Sequence, residues 1–235
     1  EGIFTKYFFN GRHEVIIETS SHDAKIYEID HLDEVLVVFK DRMKELYKIT
    51  GIEYVMLFRN YGINAGASLK HPHSQIVALP FVPVRVMDEV ENFKLHFEKE
   101  NRCLMCDVIN TELKLNKRII FLNRSFVVFA PFASRFNFEM WIAPINHSPN
   151  FYDEKKFIDL AEILKFVFKR LHSIISDISY NIIFHTAPKF SNFFHWHIEI
   201  LPKLAMPAGF EWGSGFYINS ISPENVANLI RNNRR

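Results

Sequence analysis

An α+β fold built from two tandem repeats is predicted by three observations: one order of elements occurs twice, each copy sets short strands around one long amphipathic helix, and 24 of the 235 residues are phenylalanine. Large rings fit a half-buried pleated surface, so this composition favours aromatic-rich sheet cores. Helices packed against a sheet face follow from the order of elements.

The first copy opens on a β-rich run, Glu14 to Thr19, that leads to His22. Asp30 then precedes a helical pattern that places Leu32, Val35, Leu36, Phe39, Met43 and Leu46 on one face. A strand from Tyr54 to Phe58, a polar loop, His71-Pro72-His73 and a strand from Ile76 to Leu79 complete the copy. The second copy runs in the same order. A strand from Phe138 to Ile142 leads to His147, and the helix carries Phe157, Leu160, Ala161, Leu164, Val167 and Leu171. A strand from Tyr180 to Phe184, a polar loop, His195-Trp196-His197 and a strand from Ile198 to Leu201 follow. His22 and His71 lie 49 positions apart, and His147 and His195 lie 48 apart, a spacing kept across a helix, strands and loops. Two further strands, Arg118 to Leu122 and Ser125 to Ala130, have no counterpart in the first copy. The polar stretch from Glu98 to Arg102 divides the chain into a partial N-terminal repeat, residues 1–98, and a C-terminal repeat, residues 99–235.

Composition narrows the function. Lys and Arg number 28 against 27 Asp and Glu, so the net charge of +1 provides no general field for nucleic acid or an anionic membrane. An anion has to be recognised locally. The apolar runs fall far short of the ~18 residues that span a bilayer. Glu1 to Phe4 shows no basic stretch followed by an apolar core, so no secretory signal is read there. Both cysteines belong to one Cys103-Leu-Met-Cys106 unit, which reads as metal or redox chemistry in a reducing, cytoplasmic setting.

His71 and His73 are two apart, so on a strand both imidazoles project from the same face. Pro72 cannot donate to a ladder, which puts this segment at a strand start or edge, open to a ligand. The preceding loop, Asn60 to Ser68, holds Gly62 and Gly66 and can turn backbone N–H groups toward phosphate oxygens. Together these features point to nucleophilic catalysis, in which a neutral imidazole attacks phosphorus and forms a phospho-imidazole.

The segment His71-Pro-His-Ser-Gln75, preceded by Asn60, Gly62, Gly66 and Ser68, resembles the active-site segment of the galactose-1-phosphate uridylyltransferase family, a branch of the histidine-triad superfamily. The resemblance continues through Pro131 to Arg135, Phe184 to Pro188, His195 to Pro202 and Ala208 to Asn219. It implies two histidine-triad-like repeats, with His73 accepting the nucleoside monophosphate and Gln75 bonding a non-bridging oxygen of the transferred group. Asn60, Gly66 and Ser68 would hold the diphosphate, and Glu211 would contact hexose hydroxyls. A UMP or AMP group would pass by a ping-pong route between a nucleotide sugar and a sugar 1-phosphate or phosphate, in a cytoplasmic homodimer. Ser74 and Ala78-Leu-Pro80 lean toward the plant-type branch with ADP-glucose phosphorylase activity, so the base stays open. A hydrolase of the same superfamily and a nucleotide-binding protein without turnover are the alternatives.

The resemblance also implies zinc. Carried across the internal repeat, the family's ligands become Cys103, Cys106, His147 and His195, while the first copy keeps only His22 and His71. A rival set, Glu89, His185, His195 and His197, resembles the second metal site of enterobacterial uridylyltransferases. Both sets need His195, so they compete, and two thiolates favour the cysteine set. His13, His31, His96 and His172 are read as solvated, Trp196 and Trp212 as packing residues, and Arg231 to Arg235 as a solvated helix end.

Overall fold

A computed structural model of the chain describes residues 3, 10–189 and 191–232; the readings made on the first residues and on Arg234 and Arg235 fall outside this range. The strands are β1 (Arg12–Ile17), β2 (Tyr54–Tyr61), β3 (His73–Leu79), β4 (Ile119–Leu122), β5 (Phe126–Phe129), β6 (Met140–Pro144), β7 (Tyr180–His185) and β8 (His197–Pro202). The helices are α1 (Leu32–Tyr47), α2 (Val84–Glu100), α3 (Leu104–Leu115), α4 (Phe157–Ile174), α5 (Gly209–Ser214) and α6 (Pro223–Asn232).

The fold is α+β, as the sequence predicts. The two copies do not carry separate sheets, however: all eight strands join in one antiparallel sheet in the order β1-β3-β2-β7-β8-β6-β5-β4. The strand order on the two sides of the β2–β7 seam is mirrored, with β3 and β8, which carry the two His-x-His segments, each one place away from it. Pairing at the seam, from Leu57↔Phe184 to Tyr61↔Tyr180, satisfies the inner edge of each copy within the chain and leaves β1 and β4 as the outer edges.

Strand alternation assigns each face. Ile76 and Ala78 on β3, Val55 and Leu57 on β2, Tyr180, Ile182 and Phe184 on β7, and Ile198 and Ile200 on β8 point into the main core. There they meet Leu36, Phe39 and Met43 of α1, Leu164, Val167 and Phe168 of α4, and Val226 and Ile230 of α6. Each of these large side chains contributes roughly 1.5–3 kcal/mol by leaving water. The opposite face is covered on one side only. Val86, Val90 and Phe93 of α2 and Met105 and Ile109 of α3 pack on Val127, Phe129 and Ala143, with Tyr54 and Phe194. The front of β2 and β7 therefore stays open, and it floors a cavity of about 1270 Å³. The repeat reading does not place α2, although the spacing of Val86, Val90 and Phe93 is that of a helix face.

Candidate active site

Register puts the first copy's chemistry on the face opposite the main core, where His73 itself is only 5% exposed. His73 lies opposite Ile17, and Gln75 lies between Val15 and Phe58, so both side chains share the face of Phe58. Asn60, two residues beyond Phe58, shares it too and pairs with Asn181 on β7. The Asn181 amide donates to Asn60 Oδ1 at 2.7 Å and to the Ala65 carbonyl at 2.9 Å, tying the glycine loop to the other copy.

Hydrogen bonding fixes the imidazole tautomers. His73 Nδ1 lies 2.8 Å from the His71 carbonyl oxygen, which can only accept. The proton therefore sits on Nδ1, and Nε2 carries the lone pair. His71 donates through Nε2 to the Thr19 carbonyl at 2.7 Å, so its Nδ1 accepts from His22 Nδ1 at 2.9 Å. Gln75 Oε1 accepts from His13 Nε2 at 2.9 Å, which leaves the Gln75 amide nitrogen as a donor. His13 is exposed but engaged, and its position on β1 opposite Val77 was the signal for this contact.

The loop from β2 to β3 depends on its glycines. Gly62 has φ 82° and Gly66, which ends a short 3-10 turn, has φ 80°. A Cβ on Gly62 would run into the Ser179 side chain, whereas one on Gly66 would meet nothing. Gly62→Ala is expected to destabilise the fold by about 1–3 kcal/mol, and Gly66→Ala by only about 1 kcal/mol. Urea unfolding of the two variants checks this order. Ser68 lies exposed in the same loop. Glu211 does not join this group. It lines a smaller neighbouring pocket with Arg135, Phe136 and Tyr217, and its carboxylate accepts from the Ala208 backbone N–H at 2.9 Å.

Cys103, Cys106, His147 and His195 converge, with all four ligand atoms within 4.8 Å of one another. His195 Nδ1 lies 3.6 Å from Cys103 Sγ and 3.5 Å from Cys106 Sγ. A tetrahedral zinc with ordinary bond lengths has an S–N edge of about 3.6 Å. The donor chemistry fits as well: His195 donates through Nε2 to the Pro144 carbonyl at 3.0 Å and His147 through Nε2 to the Asn192 carbonyl at 3.2 Å. Each Nδ1 lone pair is thus turned toward the sulfurs, the outer-shell arrangement of metal-bound histidines. The hydrogen bond between the two sulfurs holds the Cys103 thiol far below its usual range and pushes Cys106 up.

The rival metal set needs correction. A second cluster exists, but it consists of Glu89, His185, His197 and Glu199, with His195 committed to the cysteines. The two sets therefore do not compete. The reason is strand alternation: His197 and Glu199 share one face of β8, while His195 precedes the strand and turns to α3. His185 bonds Glu89 at 3.0 Å and lies 3.4 Å from Glu199, which also bonds Arg135 at 2.6 Å. Burial opposes charge on His185, but Glu89 and Glu199 override it and raise its pKa to about 10; burial lowers His197 to about 4. A histidine whose folded pKa is raised stabilises the fold fully below its unfolded value near 6.5, and that contribution fades as pH rises through about 10. Melting temperature is accordingly expected to fall from pH 6.5 to 10, and His185→Gln to flatten that slope.

Other readings change. His96 pairs with Asp107 at 2.8 Å, and His172 is half-buried among Tyr27, Tyr61 and Tyr180, so neither is simply solvated. Trp196 packs in the core, but Trp212 is 73% exposed at the cavity. No helix among the described residues is long and apolar enough to cross a membrane.

Comparison with known proteins places this architecture. The chain superposes on the crystal structure of an ADP-glucose phosphorylase from Arabidopsis thaliana with bound ADP-glucose, with a TM-score of 0.87 and 34% identity over 94% of this chain and 73% of that one. A uridylyltransferase mutant structure gives 0.89 and 30% identity over 94% and 77%. By sequence the chain is 36% identical to the ADP-glucose phosphorylase of Arabidopsis thaliana over 94% of its own length and 64% of that protein. It is 30% identical to the galactose-1-phosphate uridylyltransferase of Thermotoga maritima over 98% and 77%. The chain thus spans just under two thirds of the plant relative's length. Fold and site define a protein of the galactose-1-phosphate uridylyltransferase-like class, homologous to these transferases and to ADP-glucose phosphorylase. Within that class the chain belongs to the family described as domain of unknown function DUF4921, whose profile matches residues 4–234.

Proposed function

We propose that the protein is a hexose-1-phosphate nucleotidyltransferase that moves UMP or AMP between a nucleotide sugar and a phosphate-bearing acceptor through a covalent intermediate on His73. The observation that carries this reading is the His73 tautomer: Nδ1 is held by the His71 carbonyl, so Nε2 is the nucleophile on the face shared with Gln75 and Asn60.

Nε2 attacks the α-phosphorus of the nucleotide sugar, an N–P bond forms, and the P–O bond breaks with its electrons leaving on hexose 1-phosphate. An acceptor phosphate oxygen then attacks phosphorus, and the N–P electrons return to Nε2. Both leaving group and acceptor are anions at neutral pH, so no strong base is required, and the protein supplies orientation and charge stabilisation. The free Gln75 amide donates to a non-bridging oxygen. Asn60, Gly66 and Ser68 hold the diphosphate. Domains follow the repeats, with the nucleophile in residues 1–98 and the sugar-phosphate segment in residues 99–235. Cys103, Cys106, His147 and His195 would hold a zinc ion with four protein ligands and no open position, so the ion would shape the fold rather than take part in the reaction.

The test is isotope exchange: with nucleotide sugar alone, labelled hexose 1-phosphate should enter the nucleotide-sugar pool. A requirement for a second acceptor before any exchange would contradict the two-step route.

The sugar site is completed by a second chain. Glu211 lies apart from His73, and around it Phe210, Trp212, Phe216 and Ile218 are each more than half exposed, an apolar cluster of the kind that marks an interface. Glu211→Ala and His73→Gly chains, each inactive alone, are expected to recover transfer when co-refolded. No recovery together with a monomeric mass by light scattering would put the complete site in one chain.

A further inference from the structure

Behind the open face, on the core side of the sheet, lies the most deeply buried ion pair among the described residues. Arg59 Nε and Glu18 Oε1 are 3.0 Å apart, with side chains 3% and 2% exposed. Ser74 donates to Glu18 Oε1 at 2.6 Å, and Arg59 Nη1 donates to the Tyr180 hydroxyl at 2.7 Å. The Glu18 backbone N–H also donates to the Pro72 carbonyl at 3.1 Å. The network therefore links the end of β1, β3, β2 and β7.

Every link has a neighbour in the site. Ser74 follows His73, Arg59 precedes Asn60, and Tyr180 precedes Asn181, whose amide holds Asn60 and the glycine loop. Adjacent strand residues point to opposite faces, so the polar chain on the core side sets the backbone from which the front-face residues project. Glu18 holds β3 on both sides of His73, through Pro72 and through Ser74.

The second copy shows that the fold alone does not require this. Arg59 and Ser74 each lie one residue beyond the Phe58↔Gln75 pair of the first copy; the corresponding positions in the second, beyond Ile183↔Glu199, are Phe184 and Ile198, which pair directly and belong to the apolar core. The same sheet is thus built there with hydrocarbon. Replacing a buried ion pair with apolar residues is often neutral or stabilising, so a pair kept in only one copy calls for another account.

We propose that Glu18 and Arg59, with Ser74 and Tyr180, are positioning residues that fix the His73 backbone relative to Asn60 and the glycine loop. The proposal rests on His73 being the nucleophile. Single-turnover nucleotidylation of the full chain by UDP-glucose and ADP-glucose, measured per folded molecule, tests it alongside binding of UMP and AMP and thermal melting. In the double variant Glu18→Leu with Arg59→Met, the nucleotidylation rate is expected to fall at least tenfold. Nucleotide affinity should change less than threefold, and Arg59→Lys alone should stay within about threefold of wild type. Tyr180→Phe and Ser74→Ala each remove one hydroxyl, and are expected to slow the step threefold or more if the double variant does not fold. A double variant that reacts within threefold of wild type overturns the proposal and leaves the His73 assignment standing, as do unchanged rates in both hydroxyl variants. A wild-type chain that forms no adduct on His73 overturns both.

Discussion

His73→Gly is expected to lower nucleotidyl transfer at least a thousandfold, about 4 kcal/mol of transition-state stabilisation, without unfolding the chain. The side chain is buried at the start of β3 on the face away from the main core, and the hydrogen bond lost is the one its Nδ1 makes to the His71 carbonyl. The main core, on the other face, is untouched. Steady-state transfer with the melting curve beside it checks this. Retention of more than about a tenth of wild-type activity, a loss under ~1.4 kcal/mol, contradicts the assignment. His71→Ala should behave differently, because His71 bridges Thr19 and His22 and its loss disturbs the segment itself.

The second large effect concerns the metal. The protein as purified is expected to hold about one zinc per chain and to lose it in the Cys103→Ser, Cys106→Ser double variant. Those cysteines flank the start of α3, and His195 leads into β8, so the centre ties α3 to the sheet at the strand that carries His197. Loss of the ion is expected to cost several kcal/mol, lowering the melting temperature by roughly 10–20 °C for a chain of this size. Elemental analysis and melting before and after chelation measure both. Zinc content unchanged in the double variant would transfer the assignment to Glu89, His185, His197 and Glu199.

Much of this was legible in the sequence because two periodicities carry it. The 3.6-residue spacing of Leu32 to Leu46 and of Phe157 to Leu171 marks α1 and α4. The two-residue spacing of His71 and His73 puts chemistry at a strand start. The family resemblance, carried across the repeat, groups the cysteines with His147 and His195, and these four converge in the structure. What was not legible depends on contacts between distant strands. The seam between β2 and β7 brings Asn181 to Asn60 across 121 positions, and no local pattern announces that pairing. The Glu18–Arg59 pair looks like two solvated charges until register turns both inward. Glu199 takes the place that the rival ligand pattern gives to His195, and alternation along β8 puts it beside His197.

The most direct measurement is intact-mass analysis under denaturing conditions after mixing the protein with UDP-glucose or with ADP-glucose. One nucleoside monophosphate should be added per chain, with its mass naming the base, and the adduct should disappear on addition of hexose 1-phosphate or phosphate and be absent from His73→Gly. Consumption of the nucleotide sugar with no adduct, or an adduct that persists in His73→Gly, would contradict a covalent transferase acting through this histidine.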